Sequence, residues 1–152
     1  MSELLLLTAS EDFGWPPDGA LTVRLVQAGD NFRLECRYRC TPLQDQYGKR
    51  TLRWRVGFPS DSAHSLVEKL CSARIPAAPM FPEGLDGRIY SLAVGAYMGS
   101  AEYRWWSKAP EGWEPLVQVH AILFNASDCE AQLEIRRTKF ANEQQKLSKP
   151  TT

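Results

Sequence analysis

Ten consecutive residues, NFRLECRYRC at Asn31–Cys40, alternate in character without a break. Phe32, Leu34, Cys36, Tyr38 and Cys40 fall on one side, and Arg33, Glu35, Arg37 and Arg39 on the other. A helix would scatter these two sets around its circumference, whereas an extended chain separates them cleanly. The same period of two recurs in TLRWRVGF, where Leu52, Trp54, Val56 and Phe58 oppose Thr51, Arg53 and Arg55. It recurs again in LTVRLV, where Leu21, Val23 and Leu25 oppose Thr22 and Arg24. Alternation of this kind marks antiparallel strands with one face on a core and one in water. The AGDN turn at Ala28–Asn31 joins the first pair, and a longer loop through Asp45–Gly48 joins the second. Leu4 to Leu7 is a candidate further strand.

The period then changes. In SDSAHSLVEKLCSA, Ala63, Leu66, Val67 and Leu70 recur at helical spacing, with Ser60, Asp61 or Ser62 as N-cap. Pro76, Pro79 and Pro82 make the following PAAPMFP a stiff connector, with Met80 and Phe81 tucked inward. The GLDG turn returns the chain to two strands, RIYSLAVG and AEYRWWS. Pro115 suits the first turn of a helix through PLVQVHAILFNA, although Val117, Val119, Ala121 and Leu123 also alternate as a strand would. QLEIRR reads as a short strand or a helical turn, and residues 148–152 as a disordered tail. The fold expected is α+β: an antiparallel, twisted sheet of about six strands with two helices on one face, in the order ββββαββα. Residues 1–147 form one domain, as a length of 152 residues suggests.

YRWWSKAPEGW, at Tyr103–Trp113, concentrates aromatic residues within the second half. In a strand Tyr103 and Trp105 share one face, and Arg104, Trp106 and Lys108 the other, so the two adjacent tryptophans cannot enter the same core. Trp105 belongs with Tyr90, Leu92 and Val94 on the apolar side, and Trp113 packs back from the start of the next helix. Trp106 is left among cations, covered by the C-terminal segment with Leu133, Ile135 and Phe140 or available to a partner. From Gly84 to Leu123 the succession Tyr-x-Leu, Tyr-x-Trp-Trp, Pro-x-Gly-Trp and helix resembles a pattern in small uncharacterised bacterial α+β proteins. Some of those look like immunity partners of toxins. The resemblance carries no catalytic residue.

Charge is balanced overall, 18 basic against 18 acidic residues, which gives no global field toward nucleic acid or membrane. It is not balanced locally. Leu21–Phe58 holds eight basic residues and three acidic ones. Alternation places Arg24, Arg33, Arg37, Arg39, Arg53 and Arg55 on one sheet face, relieved by Glu35. Solvation and pairing with acidic loop residues would account for such a face, and so would an acidic protein partner. Sheets that read nucleic acid set aromatics among their basic residues, whereas Phe32, Tyr38 and Trp54 lie on the opposite face here.

Catalytic and metal signatures are thin. Cys36 and Cys40 are about 13 Å apart along a strand, beyond a shared metal ion or a disulfide. His64 and Cys71 are about 10 Å apart along their helix, beyond hydrogen-bond reach. His120 would meet Cys71 only through helix packing. Phosphate-loop, dinucleotide and nucleophile-elbow patterns do not occur, so no cofactor is implied. The start, MSELLLLTAS, carries Glu3 and no basic residue, which fits a cytoplasmic chain with reduced thiols better than a secreted one. The expected function is a non-enzymatic, cytoplasmic protein–protein interaction module of the toxin-neutralising kind, using the arginine face and Trp106. Two alternatives stand beside it. One is a single-stranded nucleic-acid binder on that face, and the other a small enzyme with an unrecognised site around Cys71, His64 or His120.

Overall fold

In the computed structural model, residues 3–13, 19–40, 48, 50–76, 88–95 and 100–148 are described. The loop at 45–47, the prolines at 79 and 82 with Met80 and Phe81, the GLDG turn and residues 149–152 lie outside them. Six strands build one antiparallel sheet: β1 Glu3–Phe13, β2 Gly19–Ala28, β3 Asn31–Cys40, β4 Thr51–Phe58, β5 Arg88–Val94 and β6 Ala101–Trp106. Their spatial order is β4-β3-β2-β1-β5-β6. Helices α1 (Ser60–Ser72), α2 (Glu114–Ala126) and α3 (Cys129–Leu147) complete the described elements. The order ββββαββα holds, with the last helical region divided in two.

The alternation decides which face is buried. Register sets Leu25, Leu34 and Val56 in one cross-strand row, and Val23, Cys36 and Trp54 in the next. These residues, with Leu7, Ala9, Leu92 and Trp105, meet Ala63 and Leu66 of α1 and Leu116, Val119 and Leu123 of α2. Leu116, Val119 and Leu123 are fully buried, each contributing about 1.5–3 kcal/mol of apolar transfer. Their i, i+3, i+7 spacing settles 115–126 as helix, because only that geometry puts all three on the sheet. Helix α1 begins at Ser60, with Pro59 as its extended N-cap rather than any of the three hydroxyl or carboxylate residues that follow.

Three further sequence expectations change. Strand β1 runs far past Leu7, through Thr8–Phe13, and sits between β2 and β5 in the middle of the sheet. QLEIRR is not a short element but part of the 19-residue α3. That helix does not cover Trp106. Arg136 donates to the Arg53 carbonyl at 2.6 Å, and Phe140 packs against Gly48, which places α3 at the β4 edge. Trp106 lies at the opposite edge, on β6. No side chain of α3 is buried, so its docking relies on Leu133 and Cys129 at the core margin. Asp128, in the left-handed region at φ 55°, turns the chain between α2 and α3. That turn is pinned from the sheet: Trp54 Nε1 donates to the buried Ser127 carbonyl at 2.7 Å.

The tryptophan corner forms as the sequence suggests. Trp105 and Trp113 are buried, and the Trp113 ring meets Tyr103 and Trp105 edge-on at 5.6 and 6.3 Å. Its indole N–H donates to the Pro76 carbonyl at 3.2 Å, tying the connector after α1 to the start of α2. Gly112, at φ +85°, permits this approach, since a Cβ there would stand 2.9 Å from the Pro76 ring.

Candidate functional site

With both α1 and α2 on the apolar side, the other face of β2–β4 presents most of its arginines to solvent. Cross-strand register arranges its side chains in rows. One row runs Arg55, Glu35, Arg24 and Thr8 across β4, β3, β2 and β1. The next runs Arg53, Arg37, Thr22 and Ser10. Arg39 extends the set between Thr51 and Ala20, and Arg33 stands between Gly57 and Val26. Arg24, Arg37, Arg39, Arg53 and Arg55 are exposed, and Arg33 is half-buried. Thr22, Arg24, Glu35, Arg37, Arg53 and Arg55 line a depression of about 620 Å³.

Among the arginines of β2–β4, Glu35 is the only described carboxylate that forms an ion pair. Its Oε1 accepts from Arg33 Nη2 at 3.0 Å and lies 3.3 Å from Arg55 Nη2. No ion pair is formed by Arg24, Arg37, Arg39 or Arg53 with any described residue. Arg37 stands directly opposite Arg53, an arrangement that costs a few tenths to about 1 kcal/mol when like charges face across strands. The site can therefore do one thing well. Guanidinium groups carry planar, forked donors matched to carboxylates or phosphates, and several are presented within one shallow concavity with a single internal counter-charge.

Trp106 shares this face by register, through Ile89 and Asp12, but not the cluster. Four strand spacings separate it from Arg39, about 19 Å at roughly 4.8 Å each. Around it the face carries other charges, Arg104 paired to Glu102 at 2.8 Å, and Asp12. The arginines therefore come together, and Trp106 does not join them.

The residues weighed for catalysis are dispersed. His64 is exposed on α1 with its ring edge-on to Phe32. His120 is buried against the sheet, Nε2 3.1 Å from the Ser10 carbonyl, stacked on Phe124 and edge-on to Tyr90 and Trp105. Burial lowers its pKa from the usual imidazole range, against smaller opposing effects of the Ser10 bond and Glu11. No hydrogen bond joins Cys71 to either histidine among the described residues. Burial pushes the Cys36 thiol up to about 12 and the Cys129 thiol to about 11, the wrong direction for a nucleophile, which must be thiolate. No three His, Cys, Asp or Glu residues converge as a metal site among those described.

Glu11 and Arg88 were not legible as a pair. Glu11 occupies a position on the apolar face of β1, opposite Leu21 and Tyr90, and is buried. Arg88 of β5 reaches it at 2.6 Å. Their separation of 77 residues in sequence and the low β-propensity of the SED stretch hid both the strand and the pair. A second depression, about 500 Å³, lies between α1 and the β1–β5–β6 end, lined mainly by Leu4, Leu7, Val67, Leu70, Ile75 and Val94. Its walls offer packing surface rather than converging polar groups. No described helix is long and apolar enough to cross a membrane. No protein-family model, curated protein or solved structure matches the chain.

Proposed function

We propose that this protein is a non-enzymatic, cytoplasmic interaction module that docks an acidic surface of another protein on its arginine face, as a toxin-neutralising immunity protein would. One observation carries this: Arg24, Arg37, Arg39 and Arg53 stand exposed on one sheet face, at and beside a shallow depression, with no ion-pair partner among the described residues, two of them forced directly opposite each other. A partner carboxylate between Arg37 and Arg53 would turn that repulsion into two charge-assisted contacts. Single-stranded nucleic acid fits less well, because stacking platforms need aromatics among the cations and Trp106 stands about 19 Å away.

The test is an affinity capture from native lysate, with and without nuclease, using the wild type and Arg37→Glu/Arg53→Glu. Both side chains are exposed, so the double variant should keep its circular dichroism spectrum and melting temperature. A stoichiometric protein that survives nuclease and is lost with the double variant is the expected result. Capture that is indifferent to the double variant would show the arginine face to be a solvated exterior, and capture abolished by nuclease would move the face to nucleic acid.

A further inference from the structure

The two edges of the sheet are treated differently. The β4 edge is occupied by α3, whose Arg136 takes up the Arg53 carbonyl. Strand β6 ends the sheet on the other side. Ser107 N–H donates to the Arg88 carbonyl at 2.8 Å, and this fixes the hydrogen-bond phase of the ladder. In an antiparallel pair alternate residues bond to the neighbour, so Ala101, Tyr103 and Trp105 direct their main-chain groups toward β5. Glu102 and Arg104 direct theirs outward, and no described main-chain group meets them. Both side chains are solvent-exposed on the polar face and form an ion pair within the strand at 2.8 Å.

We infer that β6 is a self-complementary edge and that the chain forms a twofold dimer by antiparallel β6–β6 pairing, with Tyr103 on the axis. In that register Glu102 lies directly opposite Arg104 of the partner subunit, and Arg104 opposite Glu102 of the partner subunit. The outward main-chain groups of the same residues then bond to each other, each of the two pairs exchanging an N–H and a C=O both ways. Charge and hydrogen-bond phase thus select one alignment. Sliding the partner by two residues either way sets Arg104 against Arg104 of the partner subunit, or Glu102 against Glu102 of the partner subunit, and like charges face each other. The symmetry is isologous and closes at two copies. It joins the sheets into one, with both arginine faces on the same side.

Sedimentation velocity and light scattering across micromolar to submillimolar chain concentrations test this. The wild type should dimerise, and Glu102→Arg and Arg104→Glu should each weaken the dimer about tenfold or more, since both cross-strand pairs turn repulsive. An equimolar mixture of the two single variants should recover it, because each chain then offers the other the opposite charge. Arg104→Pro removes an outward N–H that the monomer does not use, as edge strands tolerate, and should give a folded monomer by circular dichroism. A wild type that stays monomeric throughout overturns the proposal. So does a dimer unaffected by both charge reversals and by Arg104→Pro, or a mixture of single variants that stays monomeric.

Discussion

Replacing Trp54 by Phe would report on how the second half of the chain is held to the first. The indole N–H meets the carbonyl of the fully buried Ser127 at 2.7 Å. The only other described donor to that oxygen is the Cys36 thiol, at 4.0 Å. Phenylalanine would leave the carbonyl buried without its N–H, a loss of about 1–3 kcal/mol. It would also remove two ring carbons from a site only 8% exposed, roughly 1.6 kcal/mol at about 0.8 kcal/mol per buried carbon. Together these come to about 2.5–4.5 kcal/mol, a large share of the ~5–15 kcal/mol expected for a whole domain. With a urea slope of about 2 kcal/mol/M, the unfolding midpoint should fall by about 1–2 M. Equilibrium urea denaturation followed by circular dichroism measures this directly. A drop below ~0.5 M, which is under 1 kcal/mol on the same slope, would mean that the turn between α2 and α3 is not anchored by Trp54.

Three further perturbations probe other parts of the molecule. His120 is buried with its pKa lowered by desolvation; above about pH 6.5 it is neutral folded and unfolded, and below that the unfolded chain takes the proton first. Stability should therefore fall as pH drops from about 6.5 to about 5, and urea midpoints of His120→Gln should fall less over the same range. Cys71 is exposed while Cys36 is buried with its thiol pushed up to about 12; peptide mapping after brief native alkylation should find Cys71 modified, and Cys36 and Cys129 only after denaturation. Asp128 holds φ 55° without making a side-chain cap bond. Asp128→Gly should accordingly raise thermal stability by roughly 0.5–1 kcal/mol, and a loss would show that the carboxylate contributes something beyond the turn.

The exposed arginine face is a consequence of one architectural fact. Both large helical contacts, from α1 and α2, fall on the apolar side of the sheet, and no described helix packs over the arginines of β2–β4 or along β6. The edge carries Glu102 and Arg104, charges of the kind that keep exposed strands from pairing indiscriminately. Placed at alternate positions, the same charges also specify a register.

What the sequence determined alone was whatever depends on local period. Strands β2, β3 and β4, their buried and solvent faces, and the grouping of the arginines follow from side chains alternating along an extended backbone, and α1 follows from its helical spacing. Trp105 inside and Trp106 outside follow from the same alternation. Tertiary structure decided everything that turns on which strand lies beside which. It set β1 at the centre of the sheet, although its second half, Thr8–Phe13, carries little β-forming signal, and pairing on both sides supplies what propensity lacks. It put Glu11 against Arg88 and moved α3 to the β4 edge. It also separated Trp106 from the arginines by inserting β1 and β5 between them. Alternation tells a residue which face it occupies; only strand order tells it who its neighbours on that face are.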